Sequence, residues 1–136
     1  MKTRTLGNSG HAVSEIGLGC WQLGADWGSV SEPQAMQILE TAWDHGVTFF
    51  DTADVYGSGR SEKLIGRFIQ QHRDQVFVAT KVGRQNYPGP YSADILKQHL
   101  CESISRLGVD SLDLVQLHCV PSEVMSAGDI FDWLRK

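Results

Sequence analysis

Val47-Thr48-Phe49-Phe50-Asp51, the loop Thr52–Arg60, the segment Ser61–Ile69 and the run Val76-Phe77-Val78-Ala79-Thr80-Lys81 together decide the fold. The two outer runs are short, β-branched or aromatic, and apolar until their last residues. Such runs suit strands buried on both faces. Between them Leu64, Ile65, Phe68 and Ile69 recur at helical spacing, with Ser61 expected to cap the helix. Strand, amphipathic helix and strand within about thirty residues make a βαβ unit, whose two strands are parallel.

The same unit repeats outward in both directions. Upstream, Ile16-Gly17-Leu18-Gly19-Cys20 reads as a short buried strand, followed by a loop through Asp26-Trp27-Gly28. Ser31 and Gln34 fit a capping box, Pro33 sits in the first turn, and Ala35, Met36, Leu39, Ala42 and Trp43 form a helical face that Gly46 ends. Downstream, Ser92 caps a helix with Leu96, Leu100, Ile104 and Leu107 on one face, and Gly108 ends it. Leu112–His118 is the next strand. A final helix is expected from near Ser122–Ser126 through Leu134-Arg135-Lys136. The first 15 residues read as a hairpin, with strands near Lys2–Leu6 and Ala12–Glu15 and the turn Gly7-Asn8-Ser9-Gly10 between them. The expectation is one domain over 1–136: a hairpin over 1–15, then four βα units over 16–136. This is an α/β chain whose parallel sheet is covered by helices.

Composition narrows the partners. The 136 residues carry 12 Lys+Arg against 16 Asp+Glu, a formal charge of −4, so no overall basic footprint for nucleic acid exists. Hydrophobic residues at 41% and charged residues at 21% suit a globular chain. No run of about 18 apolar residues is present, so no membrane span is expected. Met1-Lys2-Thr3-Arg4-Thr5 lacks a signal-peptide core. Cys20, Cys101 and Cys119 have no metal-type spacing, which points to reduced thiols, a cytoplasmic setting and no metal site. No Gly-x-Gly-x-x-Gly fingerprint follows a strand, since Gly57-Ser58-Gly59-Arg60 lies in a loop.

Polar residues stand where apolar strands end. Asp51 closes one strand, Lys81 the next, and His118 the last; Tyr56 lies in the loop after Asp51. In a parallel sheet these positions share the carboxyl edge, where α/β folds hold their sites. Each has a plainer role open to it: a loop cap for Asp51, a solvated charge for Lys81, a packed ring for Tyr56 or His118. Together they suit proton donation. A phenol with an ordinary pKa of about 10 donates poorly at neutral pH, and a nearby ammonium favours the phenolate. Asp51 would hold Lys81, and His118 would hold a carbonyl oxygen beside the phenol. None of these side chains supplies a hydride, so a cofactor must.

Phe50-Asp51-Thr52-Ala53-Asp54-Val55-Tyr56-Gly57, followed by Ser61-Glu62-Lys63-Leu64-Ile65-Gly66, resembles the signature of the aldo-keto reductases. Gly17-Leu18-Gly19-Cys20-Trp21 resembles that family's first strand and loop, and Thr80-Lys81 and Leu117-His118 match its other catalytic positions. The resemblance covers essentially the whole chain. It implies a TIM (β/α)₈ barrel whose bottom is closed by the hairpin, and NADPH-dependent reduction of an aldehyde or ketone. Position by position, it makes Tyr56 the general acid, Lys81 the group that activates it, Asp51 the partner of Lys81, and His118 the residue that orients the carbonyl. Cys20, Trp21 and Asp51 match positions at the nicotinamide end, and Trp21 would also line the substrate pocket.

A closed barrel needs about 250 residues, so 136 hold about half of one. The chain is therefore expected to be the N-terminal half of a longer product, since the family's later strands carry most cofactor contacts. Two other expectations stand beside it. One is an NADP(H)-sensing regulatory subunit with little turnover. The other is a stand-alone half-barrel that pairs into a homodimer and so hides its open edges.

Overall fold

The computed structural model describes residues 1–135, the side chain of Asp74 excepted. Strands β1 (Thr3–Thr5) and β2 (Ala12–Ser14) form an antiparallel hairpin, with Arg4 opposite Val13. Four parallel strands follow: β3 (Leu18–Gly19), β4 (Phe49–Asp51), β5 (Phe77–Val82) and β6 (Leu114–Leu117). They lie side by side in chain order. Helices α1 (Glu32–Asp44), α2 (Arg60–Ile69) and α3 (Ala93–Leu107) alternate with them, and α4 (Ser122–Ala127) and α5 (Asp129–Leu134) follow β6. The expected order of one hairpin and four βα units is the observed order. Among the described residues the sheet stays open, with β3 and β6 at its edges.

The register Phe50↔Val78 and Lys81↔Gln116 staggers the strands so that their carboxyl ends rise together. Alternate side chains point to opposite faces of a strand. Phe50 and Val78 face the helices and pack with Leu39, Leu64, Ile65, Phe68 and Leu107, all buried. A second core joins Val82, Leu96, Val120 and Ile130. The hairpin docks at the other end of the sheet. The Ser14 amide donates to Thr48 Oγ1 (3.0 Å) and the Thr48 amide to Ser14 Oγ (2.9 Å). The carboxyl edge is thereby left to the loops.

Several local expectations need correction. The first strand shortens from Ile16–Cys20 to two residues, because β3 has a single neighbour, and Ile16 is exposed. Ser61 does not cap α2. The cap is Gly59, in the left-handed region at φ 86°, and Ser61 lies inside the helix, wholly buried. Its hydroxyl donates to the Cys20 carbonyl (2.8 Å) and is hydrogen-bonded to Thr52 Oγ1 (2.8 Å). The final helix breaks into α4 and α5 at Gly128, whose φ of 87° ends one helix and starts the next. The expected continuation to Lys136 lies outside the described residues. His99 is buried on α3, and Cys119 is exposed. Among the described residues no helix is long and apolar enough to cross a membrane.

Candidate active site

The β4 run ends at Asp51, β5 carries Lys81 one residue before its end, and His118 follows the last residue of β6. Pairing delivers all three to one edge. Tyr56 reaches the same place from the β4–α2 loop. Lys81 Nζ is ion-paired with Asp51 Oδ1 and donates to the Thr52 carbonyl at 2.7 Å. The ammonium also stands 5.2 Å from the centre of the Tyr56 ring. The His118 ring meets the Tyr56 ring edge-on, with centroids 5.9 Å apart and planes at 87°. Four residues singled out from strand ends and one loop are therefore neighbours.

Local electrostatics set the state of His118. Burial, then the positive charges of Lys81 and Arg84, hold its imidazole below the ordinary histidine range. It is neutral at pH 7. Its Nδ1 is buried without a hydrogen-bond partner among the described residues. Buried orphan N–H groups are rarer than orphan acceptors, which favours the tautomer with the proton on Nε2. A neutral Nε2–H is a donor suited to a carbonyl oxygen. The Lys81 side chain keeps only 14% of its exposure, so its charge acts where water screens it little.

Trp21 joins this group and Cys20 does not. The indole of Trp21 stacks on Tyr56 with centroids 5.7 Å apart and planes 16° from parallel, and Trp27 meets Trp21 edge-on at 4.9 Å. Trp21 is partly exposed, as a wall of an open site must be. Cys20 is fully buried; its thiol donates to the Leu18 carbonyl (3.4 Å), and burial pushes it up to about 12. It supports the loop from within the core and offers no surface to a ligand. Arg84 donates to the exposed Cys119 thiol (3.4 Å) at the margin of the site.

Sequence reasoning passed over the groups that hold the loops. Glu62, wholly buried on α2, accepts from Thr80 Oγ1 (2.6 Å) and from Arg106 Nε (2.5 Å). Asp54 is 3% exposed and neither carboxylate oxygen has a hydrogen-bond partner among the described residues. Burial and the nearby Glu62 charge raise it to about 6. Asp113 accepts from both Arg73 terminal nitrogens and from the Val78 amide. A buried acid inside a helical or loop pattern gives no periodic signal, and only the Asp54 and Glu62 positions within the signature run hinted at these roles.

Nicotinamide chemistry fits the donor set in one respect. Tyr56, Lys81 and His118 offer protons and hydrogen bonds, so the reductant has to come from outside the chain. Trp21 and the partly exposed Asp51 lie at the open face of this group.

Comparison with known proteins bears on the family and the fold. The model of the aldo/keto reductase family matches residues 15–134. L-galactose dehydrogenase of Arabidopsis thaliana is 37% identical over 133 residues, which is 96% of this chain and 41% of that protein. The holo form of the aldo-keto reductase AKR11C1 from Bacillus halodurans superposes with a TM-score of 0.79 at 31% identity, covering 99% of this chain and 46% of that one. An aldo/keto reductase from Klebsiella pneumoniae, solved with NADP and acetate, gives a TM-score of 0.69 at 31% identity over 83% of this chain and 38% of that one. The chain thus spans about two-fifths of the length of the curated relatives it matches. Family match, fold and site order converge: this chain belongs to the aldo/keto reductase family of oxidoreductases.

Proposed function

We propose that the protein reduces an aldehyde or ketone to the alcohol with NADPH, and that Tyr56 is the proton donor. The observation that carries this reading is the position of the Lys81 ammonium, ion-paired with Asp51 and 5.2 Å from the centre of the Tyr56 ring. When bound, NADPH supplies the hydride. The chain supplies the rest. The carbonyl oxygen accepts hydrogen bonds from the Tyr56 hydroxyl and from Nε2–H of neutral His118, which fixes its orientation. As negative charge grows on that oxygen, Tyr56 gives up its proton, and the ammonium of Lys81 stabilises the phenolate left behind. Asp51 and the Thr52 carbonyl take two of the three Lys81 donors, so the charge stays in place. Trp21, stacked on the Tyr56 ring, walls the site beside the donor. The NADP-bound relative supports the choice of cofactor. The substrate class is a small carbonyl compound.

Tyr56→Phe tests this directly. Turnover of a carbonyl substrate is expected to fall by about 10²–10⁴ while NADPH binding, followed by nicotinamide fluorescence, survives. Wild-type turnover in Tyr56→Phe would sink the assignment.

A further inference from the structure

The loop after β3 and the loop after β4 are locked together by a carboxylate with no part in the proton chemistry. Asp26 Oδ2 accepts from the indole Nε1 of Trp21 at 3.2 Å and from the backbone amide of Gly57 at 3.1 Å. One oxygen therefore fixes two things at once: the rotation of the indole, and the place of the peptide next to Tyr56. The backbones cross at the same point. A Cβ on Gly57 would lie 2.2 Å from the Gly24 carbonyl oxygen, and one on Gly24 would lie 2.6 Å from the Gly57 nitrogen. Gly57 also needs its left-handed φ of 58°. Arg60 fastens the far side of the loop by donating to the Leu23 carbonyl and to the Val30 carbonyl (2.6 Å).

We propose that Asp26 is a positioning residue: it holds Trp21 parallel to the Tyr56 ring and ties the Tyr56–Gly57 peptide to the β3 loop, so that the aromatic shelf beside the proton donor keeps one shape. The proposal rests on Tyr56 as the donor. Asp26 bonds the Trp21 indole and the Gly57 amide, and among the described residues it has no hydrogen bond to the Tyr56 hydroxyl. Without it the indole N–H turns to water, and a Trp21 ring already 40% exposed is free to rotate off Tyr56. The expected loss is then in how the substrate is held, because Tyr56 keeps its own contacts with Lys81 and His118.

Asp26→Ala and Asp26→Asn separate the outcomes, because the Asn side-chain oxygen can still accept both hydrogen bonds. In ¹⁵N–¹H spectra, with the Trp21 indole peak assigned through Trp21→Phe, Asp26→Ala is expected to move the Trp21 indole and Gly57 amide resonances upfield. Asp26→Asn is expected to leave both near their places. In carbonyl reduction, Asp26→Ala is expected to raise KM about tenfold with kcat within about threefold, and Asp26→Asn to recover most of the loss. Unmoved resonances in Asp26→Ala overturn the clamp. Moved resonances with an unchanged KM overturn its role in holding substrate. A wild-type protein without turnover bears on the proposed function and not on the clamp, which then stands or falls on the spectra alone.

Discussion

Burial and the Glu62 charge raise the Asp54 carboxyl to about 6, against 3.8 for the unperturbed group. Below pH 3.8 both folded and unfolded chains hold the proton, and Asp54 costs nothing. Between the two values only the folded chain holds it, so stability falls as pH rises. Above pH 6 the cost is complete and constant, about 3 kcal/mol. Asp54→Asn is therefore expected to be more stable than wild type at pH 7.5 and to lose the decline between pH 4 and 6. Urea unfolding at pH 4.5, 6 and 7.5 checks this, and parallel pH profiles for the two proteins would refute it. The cysteines yield a second prediction. Cys20 is buried with its thiol pushed up to about 12, while Cys101 and Cys119 are exposed. A thiol-specific reagent at pH 8 is expected to label Cys101 and Cys119 in the folded chain, and Cys20 only after denaturation. Rapid native labelling of Cys20 would contradict its place in the core. These residues also mark the limit of sequence reading at this scale. Strand-end identity was enough to collect Asp51, Lys81 and His118, because pairing register alone brings them together. The inward turn of Cys20 and the outward turn of Cys119, at φ 54°, depend on loop geometry that no local pattern encodes.

Elements repeat the contrast. The apolar face of α2 was legible because Leu64, Ile65, Phe68 and Ile69 follow the helical period, and all four are buried. The capping box of α1 was legible because it is local: Ser31 Oγ accepts from the Gln34 amide, and the Ser31 amide donates to the Gln34 side chain. What period and caps could not show is that α2 also buries its first turn. Arg60 starts the helix behind a left-handed Gly59, and this early start turns Ser61 inward against Cys20 and Thr52, and Glu62 against β5 and α3. Glu62 then joins three elements, since its partners Thr80 and Arg106 sit on β5 and α3. Removing one member of a buried ion pair leaves the other charge uncompensated. Glu62→Ala is expected to destabilise the fold by about 3–5 kcal/mol. Glu62→Gln, which keeps an acceptor for Thr80, should cost less. Chemical unfolding of the two variants measures the gap, and equal stabilities would show that the acceptor kept for Thr80 carries no weight.

At the scale of the whole molecule, the sheet presents one wall of a site. Trp21, Tyr56 and His118 line an open face, and β3 and β6 each have a single neighbouring strand. Sites for molecules of cofactor size enclose about 70–90% of the ligand surface. Four strands and their loops offer contacts from one side, and the chain covers 46% of the holo relative it superposes on. The four βα units were legible in the sequence because each is built from local periods. Affinity for NADPH should therefore depend on what covers the two edges. In a nicotinamide-fluorescence titration, the 136-residue chain is expected to bind at best in the millimolar range, roughly −4 kcal/mol. Fusing to it the remaining βα units of the Bacillus halodurans relative should tighten binding at least about a hundredfold, since the missing walls then bury the ligand. Tight, saturable binding by the chain alone would have two explanations, a second copy that covers the open face or a face that suffices by itself. Light scattering at the same concentration decides that case: a dimer mass would establish pairing of half-barrels, and a monomer mass would mean that the open face suffices and that enclosure is not what limits binding.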